Sequence, residues 1–225
     1  MTEFAPRLDI LPPPQRKLWD ELAQVPASFV LYGGTALALY FGHRQSVDFD
    51  FFGDAAFDQD ALMAKIPFLA AGKIIQEEPN TLSVIVRRGG AVKLSFFGLP
   101  AIRHLLPPVT ALGNNLRVAS RLDLAGMKAA VVQKRAEAKD YIDIDALLAH
   151  GIDLPTALTA AAAIYGPSFN PQITLKSLSY FGDGNLKTLP GDMKDRLAEA
   201  ARAVDLDKLP ALEQARYTVE GKKIS

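Results

Sequence analysis

Hydrophobic and polar positions divide the chain into a strand-bearing front and a helical rear. The stretch "LPPPQRKLWDELAQV" predicts a proline-led helix from about Gln15 to Gln24. "SFVLY" is a short apolar strand, and Gly33-Gly34-Thr35 is the turn after it. "ALALYFG" then reads as a helix stopped by Gly42, and "SVDFDFF" as a second strand. "DQDALMAKIPFLA" is helical until Pro67 interferes. "TLSVIVRR" and "AVKLSFF" are two β-rich runs around Gly89-Gly90, a hairpin signal. A two-residue loop there pairs Arg88 with Ala91, Val86 with Lys93 and Val84 with Ser95. Lys93 and Ser95 then share one face of the sheet, because side chains alternate along a strand.

Composition changes between Pro100 and Pro108, and beyond about Asn115 the pattern is almost wholly helical. "SRLDLAGMKAAVVQKR" opens on a capping-box-like Ser120 and Asp123. "KDYIDIDALLAHG", "LPTALTAAAAIYG", "PQITLKSLSYF" and "GDMKDRLAEAARAV" predict further helices. The order strand, turn, helix, strand, helix, hairpin argues for an α+β fold rather than a regularly wound parallel sheet. The expected division is residues 1–115 as an α/β domain and 116–225 as a helical region.

The 225 residues carry 25 basic and 25 acidic side chains, so any nucleic-acid contact needs a local basic patch. There is no cysteine, which excludes disulfides and thiolate metal sites. The first residues lack a signal peptide's basic start and apolar run, and no apolar stretch approaches the ~20 residues of a membrane span. A cytoplasmic protein without membrane contact is expected.

The candidate chemistry lies in "YGGTALALYFGHRQSVDFDFF". Asp48 and Asp50 stand two apart on a strand and project from one face, although aspartate disfavours strands. Two such carboxylates suit a hard cation such as Mg²⁺, which keeps waters and takes further oxygens from substrate phosphates. Upstream, Gly33 and Gly34 allow close backbone approach at the start of a helix, an anion-favouring position, and Thr35 adds a hydroxyl. The D-x-D spacing alone is weak, since it occurs four times, at Asp48/Asp50, Asp58/Asp60, Asp143/Asp145 and Asp205/Asp207. Only the first pair lies on an apolar strand behind a glycine-opened helix.

The stretch resembles the first motif of the AbiEii/AbiGii toxin family of nucleotidyltransferases, within the polymerase-β-like superfamily. The glycines, Thr35, His43-Arg44, Ser46, Asp48 and Asp50 fall in that order. "DLAGMKAAVVQKRAEAKDYIDIDALL" is similar to the family's later helical motif through Lys128, Arg135, Lys139-Asp140 and Asp143. The resemblance implies a polymerase-β-like domain, a small mixed sheet with flanking helices, followed by a helical region that completes the cleft. It implies transfer of a nucleotide from NTP with Mg²⁺ or Mn²⁺, held by Asp48 and Asp50. Gly33, Gly34 and Thr35 would cradle phosphates, with Arg44, Ser46, Lys93 and Arg135 as further contacts. Lys128 would neutralise the triphosphate, and Asp140 or Asp143 would position base, sugar or cation.

By the same resemblance the chain is the toxin of a bacterial type IV toxin–antitoxin or phage-defence pair, with an antitoxin encoded nearby and RNA such as tRNA as acceptor. One position departs from the superfamily: a third carboxylate is expected on the second hairpin strand, where this chain has Ser95. Two alternatives stay open, transfer to a small molecule of the aminoglycoside kind and a catalytically weak nucleotide-binding protein. Ordinary readings also stand beside each candidate. His43 and Ser46 fit a turn, Lys128 a solvated helix face, Asp140 and Asp143 surface ion pairs, and His104 and His150 structural roles. Arg87, Arg88, Lys93, Arg117, Arg121, Lys134, Arg135 and Lys139 would suit RNA if they converge.

Overall fold

The computed structural model describes residues 2–100, 102, 104–212, 216–218 and 222–224. Residues 1–120 with 216–225 form one compact unit, and residues 121–215 form another.

The first unit is built on an eight-stranded mixed sheet. Its strands are β1 (Glu3–Phe4), β2 (Val30–Tyr32), β3 (Asp48–Gly53), β4 (Lys73–Glu78), β5 (Thr81–Arg87), β6 (Ala91–Gly98), β7 (Val109–Ala111) and β8 (Arg117–Val118), in the order β1-β7-β8-β2-β3-β6-β5-β4. β2 is buried throughout, as its three apolar residues require. β3 alternates: Phe49 and Phe51 are buried, whereas Asp48, Asp50 and Phe52 are half-buried. Phe51 stacks on Phe96 of β6 with ring centroids 5.0 Å apart. Burial of each such ring contributes on the order of 2–3 kcal/mol. The segment after Pro100 carries β7 and β8, which extend the sheet beyond β2.

The helices of this unit start and stop on local chemistry. α1 (Pro13–Leu18) opens on proline and tightens into a 3₁₀ turn over Trp19–Gln24. α2 (Gly33–Phe41) ends at Gly42, whose left-handed backbone closes the last turn. α3 (Gln59–Lys65) is capped by Asp58, which accepts from the Ala61 N–H at 2.7 Å. Ile66 is held extended before Pro67, so a separate short helix, α4 (Pro67–Ala70), begins there.

The β5–β6 register corrects the expected hairpin. Arg87 pairs with Ala91, Ile85 with Lys93 and Ser83 with Ser95, so the loop is three residues, Arg88-Gly89-Gly90. Arg88 is drawn out of the strand by a two-pronged ion pair with Glu21 at 2.5 and 2.6 Å. Gly90 lies against α1, where a Cβ would come within 2.5 Å of Pro14. The predicted sharing of a face by Lys93 and Ser95 survives, since it depends only on their spacing. β4 is a strand that the hydrophobic pattern did not reveal: all six residues are exposed at the sheet's edge.

The second unit is helical: α5 (Arg121–Val131), α6 (Ala138–Ala149), α7 (Leu154–Tyr165), α8 (Pro171–Ser177) and α9 (Gly191–Arg202). α5 and α7 approach closely, because a Cβ on Gly126 would lie 2.8 Å from the backbone of Ala160. The alanine run of α7 supplies the matching small surface, with Ala160 and Ala161 fully buried. No single described helix is long and apolar enough to cross a membrane.

Candidate active site

The glycine turn and the paired aspartates meet through backbone pairing. β2 runs antiparallel to β3 with Tyr32 opposite Asp50, so Gly33 and the start of α2 emerge beside the second carboxylate. Gly33 has φ +77°, a left-handed conformation that a side chain would strain. A Cβ there would lie 3.2 Å from Asp50 Oδ2, so the carboxylate leans over the bare glycine.

Thr35 is buried. Its hydroxyl donates to the Asp48 carbonyl and is hydrogen-bonded to the Ser46 hydroxyl at 2.7 Å. A hydroxyl has one proton, so Ser46 is the donor to Thr35. The two side chains thus tie the first turn of α2 to the start of β3. Arg44 lies in the segment between α2 and β3, and its Nη1 donates to the Gln45 carbonyl at 2.9 Å.

β3 runs parallel to β6 with Asp48 opposite Lys93 and Asp50 opposite Ser95. The position expected to carry a third carboxylate is therefore in the predicted place and holds a buried hydroxyl, bonded to Ser83 Oγ at 3.2 Å. Among the described residues no cluster of three or more His, Asp or Glu side chains forms a metal cage. The donor set that remains, two half-buried carboxylates on one sheet face, fits an ion that keeps most of its ligands as water or phosphate oxygen.

A pair that the sequence did not advertise supports this corner. Tyr32, directly before the glycines, is hydrogen-bonded through its hydroxyl to His104 Nδ1 at 2.5 Å, and both residues are buried. Burial pushes the imidazole down to about 4, so it is neutral at pH 7. The two residues lie 72 positions apart, and no spacing rule links them.

In the second unit the later motif closes into a buried charge network. Lys128 of α5 reaches Asp140 Oδ1 at 2.6 Å and Asp143 Oδ2 at 2.7 Å, both on α6. Arg135, in the connection between them, binds Asp140 through Nε at 2.7 Å and Nη2 at 3.2 Å. The Asp140 and Asp143 side chains are fully buried, so they are not surface ion pairs, and Lys128 is 8% exposed. Burial alone would raise the Asp140 carboxyl, but the hydrogen bond from Arg135 and the charge and hydrogen bond of Lys128 outweigh it and hold it below the usual range. Two of the three Lys128 N–H donors are used by the aspartates. Lys139 pairs with Glu137 at 2.8 Å, at the surface.

The structure thus groups Gly33, Gly34, Thr35, Ser46, Asp48, Asp50 and Lys93 around one strand end, and Lys128, Arg135, Asp140 and Asp143 between two helices. Residues 17–216 match the family described as "Nucleotidyl transferase AbiEii toxin, Type IV TA system". An uncharacterised protein of Aquifex aeolicus (strain VF5), aq_aa25, is 33% identical over 160 residues, covering 69% of this chain and 74% of its own. MenT4, a nucleotidyltransferase toxin (Rv2826c) from Mycobacterium tuberculosis H37Rv, shares the fold with a TM-score of 0.55 at 14% identity, over 84% of this chain and 83% of its own. A candidate nucleotidyltransferase from H. pylori does so with a TM-score of 0.52 at 17% identity, over 83% of this chain and 91% of its own.

Proposed function

Since the chain belongs to the AbiEii nucleotidyltransferase toxin family, we propose that it transfers a nucleotide from NTP to RNA, with tRNA the first acceptor to test, and that Asp48 and Asp50 hold the divalent cation this requires. The observation that carries this reading is the placement of two half-buried carboxylates on one sheet face, with Asp50 leaning over Gly33 at the head of α2. Mg²⁺ or Mn²⁺, when bound, would neutralise triphosphate charge and lower the barrier to attack by an acceptor hydroxyl. The chain's own residues do the rest by positioning and by fixed charge.

Gly33 and Gly34 open α2, whose N-cap residue makes no side-chain hydrogen bond, so its first N–H groups would face a phosphate. Thr35 and Ser46 act through the backbone, since their hydroxyls already bind each other and the Asp48 carbonyl. Lys93 places a positive charge opposite Asp48, and Arg44 stands nearby in sequence as a further phosphate contact. Asp140 and Asp143 fix the Lys128 ammonium, whose third N–H is left for a substrate oxygen, and Arg135 locks Asp140 in place. An antitoxin as partner follows from the family.

Ser95 favours a second reading, a site that binds NTP without transferring it, because its hydroxyl is a poor metal ligand and is turned to Ser83. Incubating the protein with each α-labelled NTP, Mg²⁺ or Mn²⁺ and total tRNA separates the two. Label on RNA that Asp50→Ala abolishes supports transfer. Undiminished NTP binding with no label on RNA, protein or small acceptor supports the second reading.

A further inference from the structure

The second unit contains a cavity of about 470 Å³ that shares only Arg135 with the charge network. Its volume lies within the ~300–1,000 Å³ range of small-ligand pockets. Two exposed lysines, Lys134 and Lys176, line it, and neither has an ion-pair partner among the described residues. Arg135 is neutralised by Asp140 and Glu137, so the lysines set the sign of the cavity, against the single lining acid Asp183. In a chain of zero formal charge this is a local excess of positive charge.

The same cavity carries an exposed aromatic ring on a fixed support. Tyr180 is 59% exposed. Its ring lies over Gly182, where a Cβ would overlap the phenol. The loop that bears it is pinned at its far end: Gly184, at φ +51°, packs on the Ala136 carbonyl, and Asn185 Oδ1 accepts from the Ala138 N–H at 2.7 Å. Behind it Tyr141 is buried and donates to the Ser177 carbonyl at 3.2 Å. The cavity thus combines an exposed ring with two lysines that have no ion-pair partner among the described residues. A ligand with a flat face and a phosphate matches both.

We propose that this cavity seats one unpaired nucleotide of a single-stranded RNA, its base on Tyr180 and its phosphate between Lys134 and Lys176. Base–aromatic stacking beside unpaired cations is how single strands are held without sequence choice. The inference rests on RNA being the acceptor, and it names where the strand is gripped.

The test is fluorescence anisotropy of a short fluorescein-labelled single-stranded RNA of mixed sequence with the full chain, without NTP or divalent metal. Tyr180→Ala is expected to weaken binding about tenfold and Tyr180→Phe to leave it within about twofold. Lys134→Ala/Lys176→Ala should flatten the slope of log K against log salt by roughly 0.7, one phosphate neutralised on a single strand. Lys65→Ala, on α3, is the control and should match the wild type. The assay contains neither NTP nor metal, which separates this inference from the transfer reading: label transfer can fail while the grip stands. Unchanged affinity in Tyr180→Ala overturns the proposal. So does displacement of the strand by free NTP in a Tyr180-dependent manner, which assigns the cavity to the mononucleotide. Binding of an acidic peptide with equal dependence on both lysines and Tyr180 overturns it as well.

Discussion

Replacing Lys128 by methionine tests the buried network most directly. Methionine keeps the length and volume of the stem and removes the ammonium. Asp143 then loses its ion pair with Lys128, and Asp140 keeps Arg135 only, while both carboxylates remain fully buried. Breaking a buried pair by removing one partner costs about 3–5 kcal/mol, because an uncompensated charge stays inside. Against a total stability of roughly 5–15 kcal/mol, that is a large fraction. With a urea slope of about 1–3 kcal/mol/M the unfolding midpoint should fall by about 2 M. The assay is urea unfolding followed by far-ultraviolet circular dichroism. A second variant, Lys128→Met/Asp143→Asn, removes one buried carboxylate charge and should recover at least ~1 kcal/mol relative to Lys128→Met. A loss below about 1 kcal/mol in Lys128→Met, with no recovery in the double variant, would refute the reasoning and return Lys128 to the solvated face that its sequence context suggests. The outcome bears on function, because activity lost in Lys128 variants is interpretable only at matched folded fractions.

The remaining predictions concern pH, the glycine turn and the strand β6. His104, pushed down to about 4 against an unfolded value near 6.5, refuses a proton that the unfolded chain accepts, so stability should fall by about 3 kcal/mol as pH drops from 6.5 to 4, and His104→Phe should flatten that window of the urea midpoint. Asp140, held below its ordinary value, has the opposite linkage: its contribution is full above the usual carboxylate range and is lost only as pH falls below it, so its slope appears beneath the histidine window. Gly33→Ala should cost about 1–2 kcal/mol for its left-handed backbone and reduce label transfer further, by crowding Asp50, while circular dichroism stays native. Ser95→Asp should lower the melting temperature in EDTA, and Mg²⁺ should restore it by a few °C more than in the wild type, whereas equal responses to Mg²⁺ would count against a metal at Asp50.

The parts of the fold carried by local periodicity were readable from the chain alone. β3 is an example: the period-two alternation of "DFDFF" put both aspartates on one face and both buried phenylalanines on the other before any pairing was known. Gly42 and Pro67 likewise mark helix ends by their own backbone geometry. What failed were features decided at a distance. The hairpin register slipped because Gly89-Gly90 fits two loop lengths, and the choice is made by Glu21, 67 residues from Arg88. β4 was missed because an exposed edge strand has no apolar face to declare it, and "KIIQEE" buries none of its residues. The charges of Lys128, Asp140 and Asp143 looked like a surface pattern because burial is a tertiary fact. The Tyr32–His104 bond has no sequence signal at all.

The serine at position 95 bears on how β3 tolerates its carboxylates. Asp48 and Asp50 share one half-buried face, and like charges so placed repel. The register sets Lys93 opposite Asp48 and a neutral hydroxyl opposite Asp50. A third carboxylate at 95 would add a further negative charge to this face beside a buried Ser83, where an uncompensated charge is costly. Serine avoids that added charge at the expense of a metal ligand. It follows that the cation at this face would be held chiefly with its phosphate-bearing substrate rather than before it, and that metal binding measured alone should be weak while metal binding in the presence of NTP is strong. Calorimetric titration of Mg²⁺ with and without a non-hydrolysable NTP decides the point. Equal affinities in the two titrations would mean that Ser95 has no such effect and that another acid completes the site.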